Sequence, residues 1–423
     1  MKRRSFLKGL AAAGVVLPTG AWFPSCSADK PEGLSWDFDK VIDRFGSWSI
    51  KYGRLENLGE KGSTKLSMWI ADMDFMTDPL VSKALRDRVD KYVLGYTRTP
   101  VEFLDSVVSW EKRMHGYDVA REWVAPCPGV IASLNQAYLT FTEPGDTIVL
   151  QTPVYDHFRI YIEKMGRIPV ENPLIEENGR YRMDFDGLER IFEEGSKVLV
   201  LCNPQNPVGI LWDKETLATL AGICERHGVM VFSDEIHSDL TLRGRKHIPF
   251  CSVSEAAARV GLIFGSPTKS FNFAGLSGTA WCIIPDREKR EKLLWTLEKS
   301  KLDEPSIMSL TATIAAYSHE PVWLDAVKEY IQGNLDLVYD FFKDNDLGIK
   351  AVMPEASFLI WLDCRSLGLS QAELMTRFSD DAGIILNDGI SYGTGGEGFV
   401  RMNVGCPRSV VEEALSRIRK TFG

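Results

Sequence analysis

Lys197-Val-Leu-Val-Leu-Cys202, Asn203-Pro-Gln-Asn-Pro-Val-Gly209, Lys214–His227, Val229-Met-Val-Phe-Ser233 and Asp234-Glu-Ile-His237 follow one another in a single passage. The first and fourth pieces are short, continuously apolar and rich in β-branched residues, as strands buried on both faces must be. Between them, Lys214–His227 reads as a helical run. Strand, helix and strand in this order make a βαβ unit, and its two strands run parallel. The polar pieces, 203–209 and 234–237, fall just past the strands, where doubly wound sheets place ligand contacts.

The same alternation continues outward. Asp146–Gln151, Val260–Gly265 and Thr279–Ile284 read as further strands, and Val130–Phe141 and Arg287–Lys301 as helices. After about residue 320 the texture changes. A long amphipathic helix over Pro321–Asn345 precedes strand patterns near Phe358–Leu362 and Phe399–Val404. Ser409–Phe422 reads as a closing helix, with Ser409 and Glu412 spaced as a capping box. The expected fold is α/β, with a mostly parallel doubly wound sheet in a large domain (76–318) and a smaller C-terminal α/β domain (319–423). Residues 26–75 form an N-terminal arm and part of the small domain, and 1–25 stand apart.

Composition bounds the function. The chain has 423 residues, 44% of them hydrophobic and 25% charged, which excludes disorder and supports a large core. Its net charge of -9 argues against nucleic acid as a partner, because phosphate binding needs a basic face. Met-Lys-Arg-Arg-Ser-Phe-Leu-Lys8 is cationic and leads into the apolar run Gly9–Trp22, the layout of an export leader. Arg3-Arg4 resembles a twin-arginine signal, which implies a periplasmic or membrane-anchored protein. Cys26 is a candidate lipid-anchor site, although Phe23 and Pro24 make a poor lipidation context. The other seven cysteines form no C-x-x-C pair and sit in apolar runs, so they read as buried small hydrophobes. The six histidines show no zinc spacing.

A third polar run, Ser266-Pro-Thr-Lys-Ser-Phe-Asn272, also follows a strand. The three runs supply an amide, a carboxylate and a lysine at successive strand ends. That set suits pyridoxal 5′-phosphate: an amine for the Schiff base, a carboxylate for the pyridine nitrogen, and an amide for the phenolic oxygen. Two rival motifs fail on context. Ser266–Lys269 matches S-x-x-K, but the S-D-N and K-T-G companions of serine β-lactamases are absent. Gly393–Gly398 matches G-x-G-x-x-G, yet it precedes a strand rather than a helix, so it reads as a flexible glycine loop.

From about residue 36 onward these runs resemble the fold-type I pyridoxal-phosphate enzymes, the aspartate aminotransferase superfamily. Trp69-Ile-Ala-Asp-Met-Asp-Phe75, Gly95-Tyr-Thr97, Ala125–Val130, Gln151–Tyr155 and Phe399-Val-Arg-Met-Asn403 resemble its MalY/PatB-like cystathionine β-lyase branch more closely. The resemblance implies Lys269 as Schiff-base lysine and proton-transfer base, Asp234 at the ring nitrogen and Asn206 at the phenolic oxygen. Tyr155 is expected to stack on the ring, and Gly129, Val130 and Ser266 to hold the phosphate. Tyr96 is expected to reach the phosphate from the other subunit of a homodimer, and Arg401 to clamp the carboxylate of an amino-acid substrate. Two departures favour the lyase branch. Ser277 stands where many aminotransferases have an arginine, and His237 stands where D-E-I-Y members have a tyrosine. The implied activity is cleavage of L-cystathionine or a related cysteine S-conjugate to thiol, pyruvate and ammonia. An aminotransferase is the alternative within the enzyme class, and a noncatalytic cofactor-holding protein the alternative outside it.

Overall fold

The apolar runs pair with one another as strands because only a sheet covered on both faces satisfies their backbone and hides their side chains. The computed structural model describes residues 35–59 and 64–423, so the leader, Arg3-Arg4 and Cys26 lie outside the described residues. Seven strands make the main sheet: β1 (Val124–Cys127), β2 (Thr147–Leu150), β3 (Ile168–Glu171), β4 (Val198–Cys202), β5 (Met230–Asp234), β6 (Gly261–Gly265) and β7 (Ala280–Ile283). Their spatial order is β1-β7-β6-β5-β4-β2-β3. The β3-β2-β4-β5-β6 run is parallel throughout, and β7 is antiparallel to both neighbours. Every residue of β4 and of β6 is buried, as their uninterrupted apolar composition requires.

The reversal at β7 has a local cause. A parallel return needs a crossover, usually a helix. The segment between Gly265 and Ala280 forms turns instead, and it carries Lys269 on the side of the sheet where β4 and β5 also end.

Helix α1 (Val130–Phe141) follows β1, and α2 (Lys214–His227) joins β4 to β5. Both have the bounds read from the sequence. Asp213 caps α2 by accepting from the Thr216 N–H at 2.7 Å, and Gly228 ends it in the left-handed region at φ 66°. The long α3 (Val322–Asp344) buries Trp323, Val327, Ile331, Leu335, Val338 and Phe342 along one stripe.

A second sheet, wholly antiparallel, contains β8 (Lys350–Val352), β9 (Leu359–Asp363), β10 (Asn387–Asp388) and β11 (Phe399–Asn403) in the order β8-β9-β11-β10. Leu66–Ser67 pairs in parallel with Ile384–Ile385, which brings the run before residue 75 against this C-terminal part. Residues Ser35–Gly423 form one compact unit.

The closing helix α4 spans Arg408–Phe422 and lacks the capping box that Ser409 and Glu412 were expected to make. Pro407 occupies the cap with φ -52°, which places Ser409 inside the first turn. A capping box does form at Ser370 and Glu373, ahead of the short helix Gln371–Thr376. The glycine run 393–398 leads into β11, and a Cβ on Gly396 would stand 2.0 Å from the Gly389 carbonyl oxygen. Its glycines there serve close backbone packing. The seven described cysteines are all free and buried, as their apolar context implied.

Candidate active site

Three neighbouring strands end at one cavity of about 410 Å³. β4 delivers Asn206 just beyond its last residue, β5 ends on Asp234, and the loop after β6 carries Ser266 and Lys269. The second sheet adds Arg401 from β11, and the turn into α1 adds Gly129 and Val130. Tyr155 and His237 complete the expected set at the cavity wall. Tyr96 does not join them: it is fully exposed and lines no part of the cavity in its own chain.

The Lys269 ammonium donates to the Ala71 carbonyl at 2.6 Å. Burial pulls its pKa down to about 8, with help from the Arg401 charge and against the pull of Asp72 and Asp234. An amine so placed is available as nucleophile and base near neutral pH. Asp234 is buried and accepts from the Ile236 N–H at 3.0 Å, and burial pushes its carboxyl up to about 7. A cation beside it, such as a protonated ring nitrogen, would offset that cost.

Arg401, only 3% exposed, donates to Asn206 Oδ1 at 2.9 Å, to Asn387 Oδ1 at 2.8 Å and to the Trp69 carbonyl at 2.9 Å. Its Nε has no partner. Asn206 thus spends its oxygen on Arg401, which leaves the NH₂ end as the donor. His237 is buried at the cavity with Nδ1 unpartnered, and burial holds its pKa down at about 3, so the ring is neutral. Tyr155 stacks face to face on His157, with ring centroids 4.8 Å apart, and burial raises its hydroxyl pKa.

Ser266 Oγ accepts from the Thr268 N–H at 3.2 Å, which tightens the lysine loop. At Gly129, φ is 138°, a conformation reserved for glycine, and nothing lies within 4 Å of where a Cβ would stand. No side chain caps α1, so its first N–H groups remain available to an anion. Behind the cavity Asp239 accepts from Trp110, His115 and Ser270, and so anchors the residue that follows Lys269.

Sequence reading missed several participants. Asn387, on a two-residue strand, left no signal. Asn272 and Asn403 lay inside quoted runs but received no role. Asn272 Nδ2 donates to the carbonyls of Met73 and Phe75, and Asn403 Nδ2 to those of Ile70 and Asp72. Ser277 lines the cavity, and its carbonyl accepts from the Ser309 hydroxyl. The residues present fit pyridoxal 5′-phosphate: a poised amine, a buried carboxylate in need of a cation, an uncapped helix start and an unpartnered neutral imidazole.

Known proteins identify the family. The profile of the aminotransferase class I and II family matches residues 64–418. The chain is 42% identical over 385 residues to cystathionine beta-lyase PatB of Bacillus subtilis (strain 168), covering 90% of this chain and 99% of that one. It is 34% identical to protein MalY of Escherichia coli (strain K12), over 90% of this chain and 97% of that one. Among solved structures, cystalysin from Treponema denticola, which contains a pyridoxal 5′-phosphate cofactor, superposes with a TM-score of 0.88 at 33% identity, covering 92% of this chain and 99% of that one. A cavity built at the strand ends from a lysine, an aspartate and an arginine, and a match running through almost the whole described chain, lead to one conclusion: this chain belongs to the aminotransferase class I and II family.

Proposed function

We propose that the chain is a pyridoxal-phosphate-dependent carbon–sulfur β-lyase acting on L-cystathionine or a related cysteine S-conjugate. The observation that carries this reading is the meeting of Lys269, Asp234 and Arg401 in one cavity of a chain 42% identical to a cystathionine beta-lyase. Ser277, in place of the arginine of many aminotransferases, favours the lyase over transamination.

The bound cofactor supplies an electron sink for the charge that develops at the substrate α-carbon. Arg401, whose Nε is free, would bind the substrate carboxylate and fix which bond at Cα is broken. Lys269, as the neutral amine, takes the α-proton at Nζ. Asp234 would keep the proton on the ring nitrogen, and Asn206, its oxygen held by Arg401, would orient the ring through its NH₂ group. The sulfur at Cβ then leaves as a thiolate, and the remaining fragment hydrolyses to pyruvate and ammonia.

The reading includes two further parts. The chain acts as a homodimer, because Tyr96 stands fully exposed beside exposed Tyr92, Val93 and Leu94. Residues 1–25 direct the folded, cofactor-loaded protein out of the cytoplasm. Replacing Arg3 and Arg4 together by Lys keeps the charge, and fractionation should then find the protein retained in the cytoplasm. Unchanged export would reject the twin-arginine assignment.

Product analysis tests the activity. Cystathionine should give pyruvate and thiol in equal amounts with no 2-oxo acid added. Turnover that requires a 2-oxo acid and yields a new amino acid would identify a transaminase instead.

A further inference from the structure

Four consecutive backbone carbonyls, Trp69 to Asp72, carry contacts that the reaction scheme above does not use. The Trp69 carbonyl accepts from Arg401 at 2.9 Å and the Ala71 carbonyl from Lys269 at 2.6 Å. The Ile70 and Asp72 carbonyls both accept from Asn403 Nδ2, at 2.5 and 2.7 Å. One short strap therefore touches both the base and the carboxylate clamp, two residues apart, and it is held by the side chain two residues beyond Arg401 on β11. The backbone adds to this hold, since the Asn403 N–H donates to the Met68 carbonyl at 2.9 Å.

The strap is fixed at its other side by charge. Lys51 is 1% exposed, and its Nζ lies 2.7 Å from Asp74 Oδ2, 3.3 Å from the Asp72 carbonyl and 3.7 Å from Asp72 Oδ1. Arg44 completes the cluster, 2.8 Å from Asp72 and 2.6 Å from Asp74. The Lys51 carbonyl accepts from the Ser67 hydroxyl at 2.6 Å and from Trp69 Nε1 at 3.1 Å, so the short helix Ile50–Glu56 grips the strap along its length. Burying a lysine this completely is costly unless it is paired, and removing it alone would leave the buried Asp74 short of a cation. Its partners on the strap point to a positional role.

We infer that Lys51 and Asn403 are positioning residues that hold the Trp69–Asp72 carbonyl row as a template, setting the distance between the Lys269 amine and the Arg401 guanidinium. The Ala71 carbonyl is the acceptor on which the free Lys269 amine rests while it faces the α-proton. The Trp69 carbonyl restrains Arg401 on the side away from the substrate carboxylate. Neither Lys51 nor Asn403 lines the cavity, so each acts through the strap.

This inference rests on the reading of Lys269 as an α-proton base, and its test separates that role from carbon–sulfur cleavage. L-Alanine has an α-proton and no leaving group. Its α-hydrogen exchange in D₂O, followed by NMR with the cofactor-loaded protein, reports the base alone. Its dissociation constant, from the change in the cofactor's visible band, reports the clamp. Lys51→Met should slow exchange by roughly 10- to 100-fold, the scale of a misplacement of about 1 Å, and weaken alanine binding several-fold at unchanged cofactor content. Lys51→Arg, which keeps the charge, should recover most of both. Exchange by Lys51→Met at the wild-type rate, or equal loss in Lys51→Met and Lys51→Arg, would overturn the role. If Lys51→Met does not fold, Asn403→Ser takes its place, and unimpaired exchange there overturns the role equally. Wild-type exchange without thiol release from cystathionine would reject the lyase reading and leave the template standing.

Discussion

Asp234 shows how a residue can serve activity at the cost of stability. Its carboxyl is pushed up to about 7 because burial disfavours the charged form. The folded pKa exceeds the ordinary value of 3.8, so the protonated form favours the fold fully below about pH 4. That contribution is lost as pH rises through about 7. Asp234→Asn removes the ionisation, so the apoprotein variant should melt above the wild-type apoprotein at pH 8, with the gap shrinking toward pH 4. In the loaded enzyme the amide cannot hold the ring nitrogen protonated, and turnover should fall by about 10²- to 10³-fold, as on losing a preorganised electrostatic stabiliser. Cofactor affinity should fall less. Calorimetric scans of the apoproteins against pH and steady-state assays of the loaded forms check the two halves. A destabilised apo variant at pH 8 would show that the carboxylate is already paired without the cofactor.

At the scale of elements, most of the fold was legible because a doubly covered sheet permits little else. The β4, β5 and β6 runs are continuously apolar, and the caps of α2 are written as Asp213 and Gly228. The strand direction of β7 was not legible. Its composition matches that of the sheet's parallel strands, and only the use of 266–279 as the lysine loop turns it round. The capping box at Ser409 failed because Pro407 starts the helix early. In the site, Lys269, Asp234, Asn206 and Arg401 were readable from their side chains, but the Trp69–Asp72 template works through backbone carbonyls that no residue type records. Gly129 falls between these cases: the sequence marks it and the structure gives the reason. Gly129→Ala forces a β-carbon into φ 138°, which costs about 1–3 kcal/mol and shifts the first N–H groups of α1. Titration of the apoprotein with pyridoxal 5′-phosphate should show affinity lowered on the order of tenfold, with Lys269 still the attachment point. An unchanged affinity would mean that the phosphate is held elsewhere.

At the scale of the whole molecule, one chain gathers nearly every group expected at the site and leaves Tyr96 facing outward. Exposed Tyr92, Val93 and Leu94 are large side chains that a solvated surface does not favour, and Tyr96 sits two residues beyond Leu94. In the proposed homodimer, two-fold symmetry through this segment would present the same patch from both copies, and each chain would supply its tyrosine to the other. The arrangement makes a quantitative prediction for mixed dimers. Lys269→Ala removes the base from a chain's own site, whereas Tyr96→Ala impairs only the site of the partner. A hybrid of the two variants then has one site lacking both groups and one site with both intact. Random reassortment makes half the dimers hybrids, so a mixture of two nearly inactive preparations should recover about a quarter of the wild-type activity. If Tyr96 served its own chain, each site of the hybrid would lack one group and mixing would restore nothing. The measurement is the β-lyase rate after co-refolding equal amounts of the two variants, with each variant refolded alone as the baseline.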